Sequence, residues 1–122
     1  MRVNNIIVLL TVSLLSVLPV SAQYSEHYSS SQTLFSEGVE LYMQGKWAAS
    51  ERALKAYHGK TYQTQAEFYL AANAYEIRRK DARRLLQAYL KQNTYTPYAS
   101  EVHFMLGTLL VEQNKKMRYN NI

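Results

Sequence analysis

The sequence predicts an all-α fold of short antiparallel helices. Three observations support this: apolar residues recur at helical spacing, the segments between these runs are short, and Gly and Pro number only 4 and 2 in 122 residues. Hydrophobic residues make up 48% and charged residues 19%, which excludes a disordered tail. A chain of this length holds one domain at most.

The first 22 residues have the pattern of a secretory signal peptide. Arg2 precedes an uncharged stretch, residues 6–20, which is shorter than the ~20 residues that a helix needs to cross a bilayer. Val20 and Ala22 are small enough for the positions that a signal peptidase reads. We expect cleavage after Ala22, export to a bacterial periplasm or beyond, and no stable membrane span after cleavage. The alternative is an uncleaved membrane anchor.

Two helices are predicted before residue 60. Residues 23–31 are polar, Ser-rich and without periodicity, so we expect a flexible lead-in there. Apolar spacing over residues 35–42 then predicts a first helix, which Gly45 ends. A second stripe over residues 47–57 is closed by Gly59, the residue type that commonly follows a helix.

Three further helices are predicted from their start signals. Thr64 and Glu67 form a capping box for the third helix, and Asp81 is the expected N-cap of the fourth. Thr96 followed by Pro97 suits the start of a fifth, with Pro at the first helical position. Five helices joined by short turns predict antiparallel hairpins.

Small residues recur in the middle of these helices. Gly38, Ala72 and Gly107 stand 34 and 35 residues apart, and each is followed three residues later by a large apolar residue. Glycine in a helix interior costs stability, so we expect these positions to pack closely against a neighbouring helix. A helix-turn-helix period of about 34 residues is typical of tetratricopeptide repeats.

The chain resembles the tetratricopeptide-repeat family over residues 32–117, with units at 32–60, 64–93 and 96–117. In the first unit the family positions are occupied by Gly38, Leu41, Gly45, Trp47, Ser50 and Leu54. In the second they are occupied by Phe68, Ala71, Ala72, Tyr75, Ala82 and Leu86. The third offers Leu106, Gly107 and Leu110 and then stops. The resemblance implies an α-solenoid of about two and a half repeats, with residues 118–122 as a tail.

A narrower resemblance covers residues 89–107. The run with Tyr89, Thr96-Pro97-Tyr98-Ala99 and Leu106-Gly107 is similar to exported envelope repeat proteins of the barrel-assembly and Tol-Pal type. Asn93-Thr94 departs from the Tyr-Pro of their pattern, and the chain has no Cys for a lipid anchor. We therefore expect a soluble periplasmic repeat protein.

The family geometry implies a concave face that binds a protein or peptide partner in the cell envelope. The residues expected on it are Phe35, Tyr42, Tyr69, Asn73, Glu76, Phe104 and Thr108. Aromatic rings with a few amides and carboxylates suit peptide capture, because they offer contact area at low entropic cost. The alternative is that a further helix or a second copy of the chain covers this face.

No motif for catalysis is present in the sequence. The sequence lacks Gly-rich phosphate loops, HExxH, GxSxG and paired carboxylates at acid/base spacing. No other metal-ligating residue lies at a suitable spacing from His27, His58 or His103. We therefore expect a protein that is not an enzyme and that uses neither cofactor nor metal.

A basic cluster surrounds Asp81 and consists of Arg78, Arg79, Lys80, Arg83 and Arg84. It is either a solvated turn or a docking patch for an anionic envelope partner. Export argues against nucleic acid as that partner, despite the net charge of +5.

The last predicted helix lacks a following partner helix. Part of its apolar stripe, Phe104, Leu106, Leu109 and Leu110, is therefore expected to be exposed. The alternatives are self-association into a homo-oligomer, docking on another protein, or an N-terminal piece of a longer repeat protein.

Overall fold

The computed structural model describes residues 21–122, with side chains from Ser30 onwards, and all regular structure in this range is helical. The helices are α1 (Ser21–Met43), α2 (Trp47–Ala56), α3 (Gln63–Glu76), α4 (Ala82–Gln92) and α5 (Ala99–Asn120). The prediction of an all-α fold is confirmed for residues 21–122. Residues 31–122 form one compact unit, and residues 21–30 belong to a separate N-terminal unit. The predicted signal segment lies outside the described residues except for its last two.

Helix α1 includes the stretch predicted to be a flexible lead-in. Residues 23–31 are helical, so that prediction is wrong. The physical reason is the absence of a breaker: no Gly or Pro lies between Pro19 and Gly38, and Ser costs a helix only a few tenths of a kcal/mol. Within residues 21–122, none of the helices combines the length and apolar character needed to span a membrane.

The capping box predicted for α3 does not form. The helix begins at Gln63, and the backbone N–H of its N-cap residue, Tyr62, donates to the Tyr57 hydroxyl at 2.9 Å. The Glu67 carboxylate accepts a hydrogen bond from Gln63 Nε2 at 3.0 Å. The N-cap residue of α3 is therefore bonded to the Tyr57 hydroxyl, and Thr64 lies inside the helix rather than at its N-cap.

The starts of α4 and α5 also differ from prediction in detail. Asp81 is the N-cap residue of α4, as predicted, but its carboxylate makes no capping bond and accepts from Arg79 instead. Helix α5 begins at Ala99 rather than Pro97. Thr96 Oγ1 accepts from the Tyr98 N–H at 3.2 Å and shares a 2.6 Å hydrogen bond with the Tyr89 hydroxyl. These bonds hold residues 96–98 in a turn. At its other end α5 continues through most of the predicted tail, to Asn120.

Each helix packs on its neighbour in sequence from α2 to α5, and α3 also packs on α5. The larger core cluster comprises Phe68, Ala71, Ala72, Leu86, Tyr89, Val102 and Met105. Buried positions recur at a spacing of 34 residues, because Phe68 and Ala71 in α3 match Val102 and Met105 in α5. A second cluster joins Leu54, Tyr57 and Ala66 to residues of α1.

A close contact and a chain of hydrogen bonds join α1, α2 and α3. A Cβ added at Gly38 would lie 2.6 Å from Cγ of Leu54, so the expected close packing at Gly38 is present. Four residues before Leu54, the buried Ser50 hydroxyl donates to the Gly38 carbonyl at 2.6 Å. Asn73 Nδ2 in turn donates to Ser50 Oγ at 2.9 Å. We call these four residues the three-helix contact.

Helices α1 and α3 end in the same way. The residue after each C-cap, Gly45 or Arg78, has a positive φ, 73° and 58° respectively. In both, this residue and the next donate their N–H groups back to carbonyls of the last turn, which is the Schellman arrangement. Arg78 adopts a conformation that favours glycine, and its guanidinium pairs with Glu112 of α5.

Close packing predicted at Gly107 is not observed. Gly107 is exposed, and nothing lies within 4 Å of where its Cβ would be. Leu106 stands 34 residues after Ala72 and packs against the core. The position that Ala72 occupies in α3 therefore corresponds to Leu106 in α5, and not to Gly107.

The two mid-helix glycines predict opposite effects of alanine. Gly38→Ala is expected to lower the free energy of unfolding by about 1–3 kcal/mol, because the added methyl overlaps Leu54. Gly107→Ala is the matched control and is expected to raise it by up to about 1 kcal/mol, because alanine is the better helix former and meets no neighbour. Urea unfolding followed by circular dichroism measures both. Equal effects of the same sign would contradict the packing at Gly38.

Candidate functional site

An open groove of about 500 Å³ lies between α1, α3 and the residue that precedes α5. Its lining residues are Phe35, Ser36, Val39, Glu40, Tyr62, Gln65, Tyr69 and Tyr98. We call it the aromatic groove, because half of its lining residues carry aromatic rings. Helical spacing puts the α1 residues on one face of that helix, with Tyr62 and Tyr98 at the N-cap positions of α3 and α5.

The rings of the aromatic groove are held by other aromatic residues. Phe35 and Tyr62 stack with centroids 4.6 Å apart, and Tyr98 stacks on the buried Phe68 at 4.1 Å. Tyr69 meets Tyr98 edge-on at 6.2 Å. Stacked and edge-on pairs are the favoured geometries for aromatic side chains, so these contacts stabilise the observed ring positions.

The groove carries negative charge and no positive charge among its lining residues. Glu40 is exposed, lies on the α1 side, and accepts a hydrogen bond from Gln44 at 3.1 Å. Beside the groove, Tyr42 packs edge-on against Tyr69 at 5.1 Å. Burial and then the neighbouring Glu76 carboxylate raise the pKa of the Tyr42 hydroxyl to about 12. A second carboxylate, that of Glu76, therefore lies next to Tyr42.

Four of the seven residues expected on the concave face lie in or beside the aromatic groove. Phe35 and Tyr69 line it, and Tyr42 and Glu76 lie next to it. The expectation for Asn73 is wrong, because its side chain is fully buried in the three-helix contact. Burial leaves it no surface for a partner.

Phe104 and Thr108 do not belong to the groove. Neither lines it, and Phe104 is 73% exposed on α5. The Thr108 hydroxyl donates back to the Phe104 carbonyl within the helix at 3.0 Å. These two residues form a separate surface.

Sequence reasoning missed Tyr62 and Tyr98. Both stand outside the regular helix, where apolar periodicity makes no assignment. One signal could have found them: each tyrosine immediately precedes a helix, α3 or α5, and the two tyrosines stand 36 residues apart.

Most cations of the basic cluster are engaged with other side chains. Arg79 binds Asp81 with two nitrogens, at 2.9 and 2.6 Å, and also pairs with Glu51 of α2. Burial raises the pKa of Glu51, but Lys55 and Arg79 outweigh it, so the pKa is lowered.

Two further guanidinium groups of the cluster reach α5. Arg78 pairs with Glu112, and Arg83 donates to Gln113 at 3.0 Å. Arg84 lies 3.7 Å from Asp81. These contacts join elements of the fold, so the cluster presents less unpaired charge than its composition suggests.

No group of three or more His, Asp and Glu residues within the described range is arranged to hold a metal ion. The aromatic groove supplies ring surfaces, an amide and a carboxylate, which suit binding. Comparisons with known proteins add no identity: no protein-family model matches the chain, and neither a curated protein nor a solved structure is significantly similar to it.

The raised pKa of Tyr42 predicts a dependence of stability on pH. Between pH 10 and about 12 the folded chain keeps this proton while the unfolded chain loses it, so stability falls as the pH rises through that interval. Tyr42→Phe is expected to lose less stability there than the wild type. Urea unfolding at a series of pH values measures the difference, with the exposed Tyr119→Phe as control. Parallel pH curves for wild type and Tyr42→Phe would contradict the assignment.

Proposed function

We propose that this chain is an exported, non-enzymatic protein-interaction module that binds an extended peptide segment of an envelope partner in the aromatic groove. One observation carries the proposal: four aromatic rings, a valine, an amide and a carboxylate converge on one open groove. Tyrosine rings offer large contact areas with little side-chain entropy to lose, which favours peptide binding.

The tetratricopeptide-repeat assignment is part of the same proposal. It is supported by the 34-residue recurrence of buried positions, by matching ends of α1 and α3, and by the packing of α3 on both α4 and α5. Export rests on the charge and hydropathy pattern of residues 1–22.

The shape and chemistry of the groove favour an extended peptide over a small molecule. The site is open rather than enclosing, whereas pockets for small ligands bury most of the ligand surface. Peptides without secondary structure expose backbone amides and alternate side chains, which Gln65 and the tyrosine hydroxyls can bind.

Filling the groove is expected to abolish partner capture. Ser36 is exposed and lines the groove, so Ser36→Arg places a long side chain into it without removing a core contact. Ala48→Arg adds the same side chain at an exposed position of α2, outside the groove, and is the control. Crosslinked partners recovered from envelope extract by each tagged variant measure the effect, with helicity checked by circular dichroism. Partners retained by Ser36→Arg at the wild-type level would disprove groove binding.

A second candidate function is self-association through α5. Phe104, Val111 and Met117 are 73%, 54% and 50% exposed, and Leu110 is 43% exposed. Leu106 and Leu109, the other two residues of the predicted stripe, pack against the core. Four exposed apolar side chains on one helix favour a protein–protein interface there.

Self-association predicts a dimer that depends on Phe104. Light scattering of the protein as it elutes from a size-exclusion column is expected to show a higher molecular mass for the wild type than for Phe104→Glu. His103→Glu changes the adjacent exposed residue and serves as the control. A wild-type monomer across the micromolar range would remove this candidate.

A further inference from the structure

The aromatic groove is lined by an acidic residue and by no basic one. Glu40 is the only ionised side chain among its lining residues, and Glu76 lies beside Tyr42 at its edge. The chain as a whole is basic, with a net charge of +5. The groove is therefore locally acidic within a basic protein, which favours a cationic group over an anionic one.

The tyrosine rings add a second attraction for a cation. The face of an aromatic ring is negative, so an ammonium or guanidinium group within about 6 Å of the centroid is attracted to it. One ring face of Tyr62 stacks on Phe35 and one of Tyr98 on Phe68, with centroids 4.6 and 4.1 Å apart. The other face or the edge of each tyrosine ring is left to line the groove. The chain contains a contact of this type itself, with Arg78 Cζ 6.0 Å from the Tyr75 centroid.

The rings are also positioned before any ligand arrives. Tyr69 touches Tyr42 and Tyr98 edge-on, and Phe68 beneath Tyr98 is buried. A preformed aromatic site loses less side-chain entropy on binding than a flexible one does, which favours affinity. The long methylene stem of a lysine or arginine can lie along Val39 and Phe35 while its charge approaches Glu40.

We propose that the aromatic groove selects peptides by a cationic side chain, lysine or arginine, held between its tyrosine rings and Glu40. The inference rests on the proposed function, and it names the chemistry of the ligand. Lysine or arginine is thus the residue that anchors the bound segment.

The test uses four synthetic nonapeptide libraries that differ only at the central residue. That residue is lysine, arginine, norleucine or glutamate, and the flanks are equal mixtures of small, aliphatic and amide residues with proline. Binding of the labelled protein to each immobilised library is measured at physiological ionic strength. The lysine and arginine libraries are expected to bind about tenfold more protein than norleucine, and glutamate the least. Non-specific attraction to a basic protein would instead favour glutamate.

Two matched variants identify the carboxylate that is responsible. Glu40→Gln is expected to reduce the preference for lysine over norleucine by about threefold, because an exposed ion pair is worth little more than this. Glu37→Gln removes the same charge from the same helix at an exposed position outside the groove, and is expected to leave the preference unchanged.

Each other result overturns the inference in a distinguishable way. Equal binding of the lysine and norleucine libraries would show a peptide groove that does not select a cation, and would leave the proposed function standing. Equal loss in Glu40→Gln and Glu37→Gln would show that overall charge, and no groove contact, sets the preference. Binding of none of the libraries above a peptide-free surface would remove the proposed function and the inference together.

Discussion

The close approach of α1 to α2 at Gly38 is the constraint on which the rest of the structure depends. Any side chain there would overlap Leu54, and Ser50 reaches the Gly38 carbonyl only because the helices are this close. Asn73 extends the contact to α3, and all three side chains are fully buried or nearly so. A buried hydroxyl or amide N–H group costs stability unless it is bonded, so these two hydrogen bonds restrict the register of three helices at once, although Asn73 Oδ1 has no partner among the described residues.

The aromatic groove follows from that register. The α1 residues that line the groove lie opposite α3 because the contact between Gly38 and Leu54 sets the rotation and depth of α1. On the other side, the packing of α3 on α5 places Phe68 under Tyr98, and the Tyr89–Thr96 hydrogen bond holds the turn that carries Tyr98. The groove therefore depends on contacts from every helix that the core joins, although only two helices and a turn line it.

The sequence predicted the helices and part of the groove, and the missing parts have physical reasons. Apolar periodicity identified five helices, and the small residue at Gly38 indicated a close contact. Gly107 resembles Gly38 in sequence, but one position along a helix is a rotation of about 100°, which turns it to solvent. Asn73 looked like a surface amide because its partner, Ser50, is 23 residues away in the chain. Tyr62 and Tyr98 lie outside the periodic segments, so only the tertiary fold brings their rings to the groove.

Helix α5 has no counterpart of Gly45 or Arg78 in its middle and continues to Asn120. Its buried residues, Val102 and Met105, lie in the first two turns, whereas every residue from Gln113 onwards is exposed. Regions with few buried contacts open at low free-energy cost. Backbone amides of α5 should therefore exchange with deuterium in a gradient, slowest near Met105 and fastest beyond Gln113. Added salt screens the Arg78–Glu112 ion pair, so we expect it to move the boundary between slow and fast exchange toward the N-terminus of the helix.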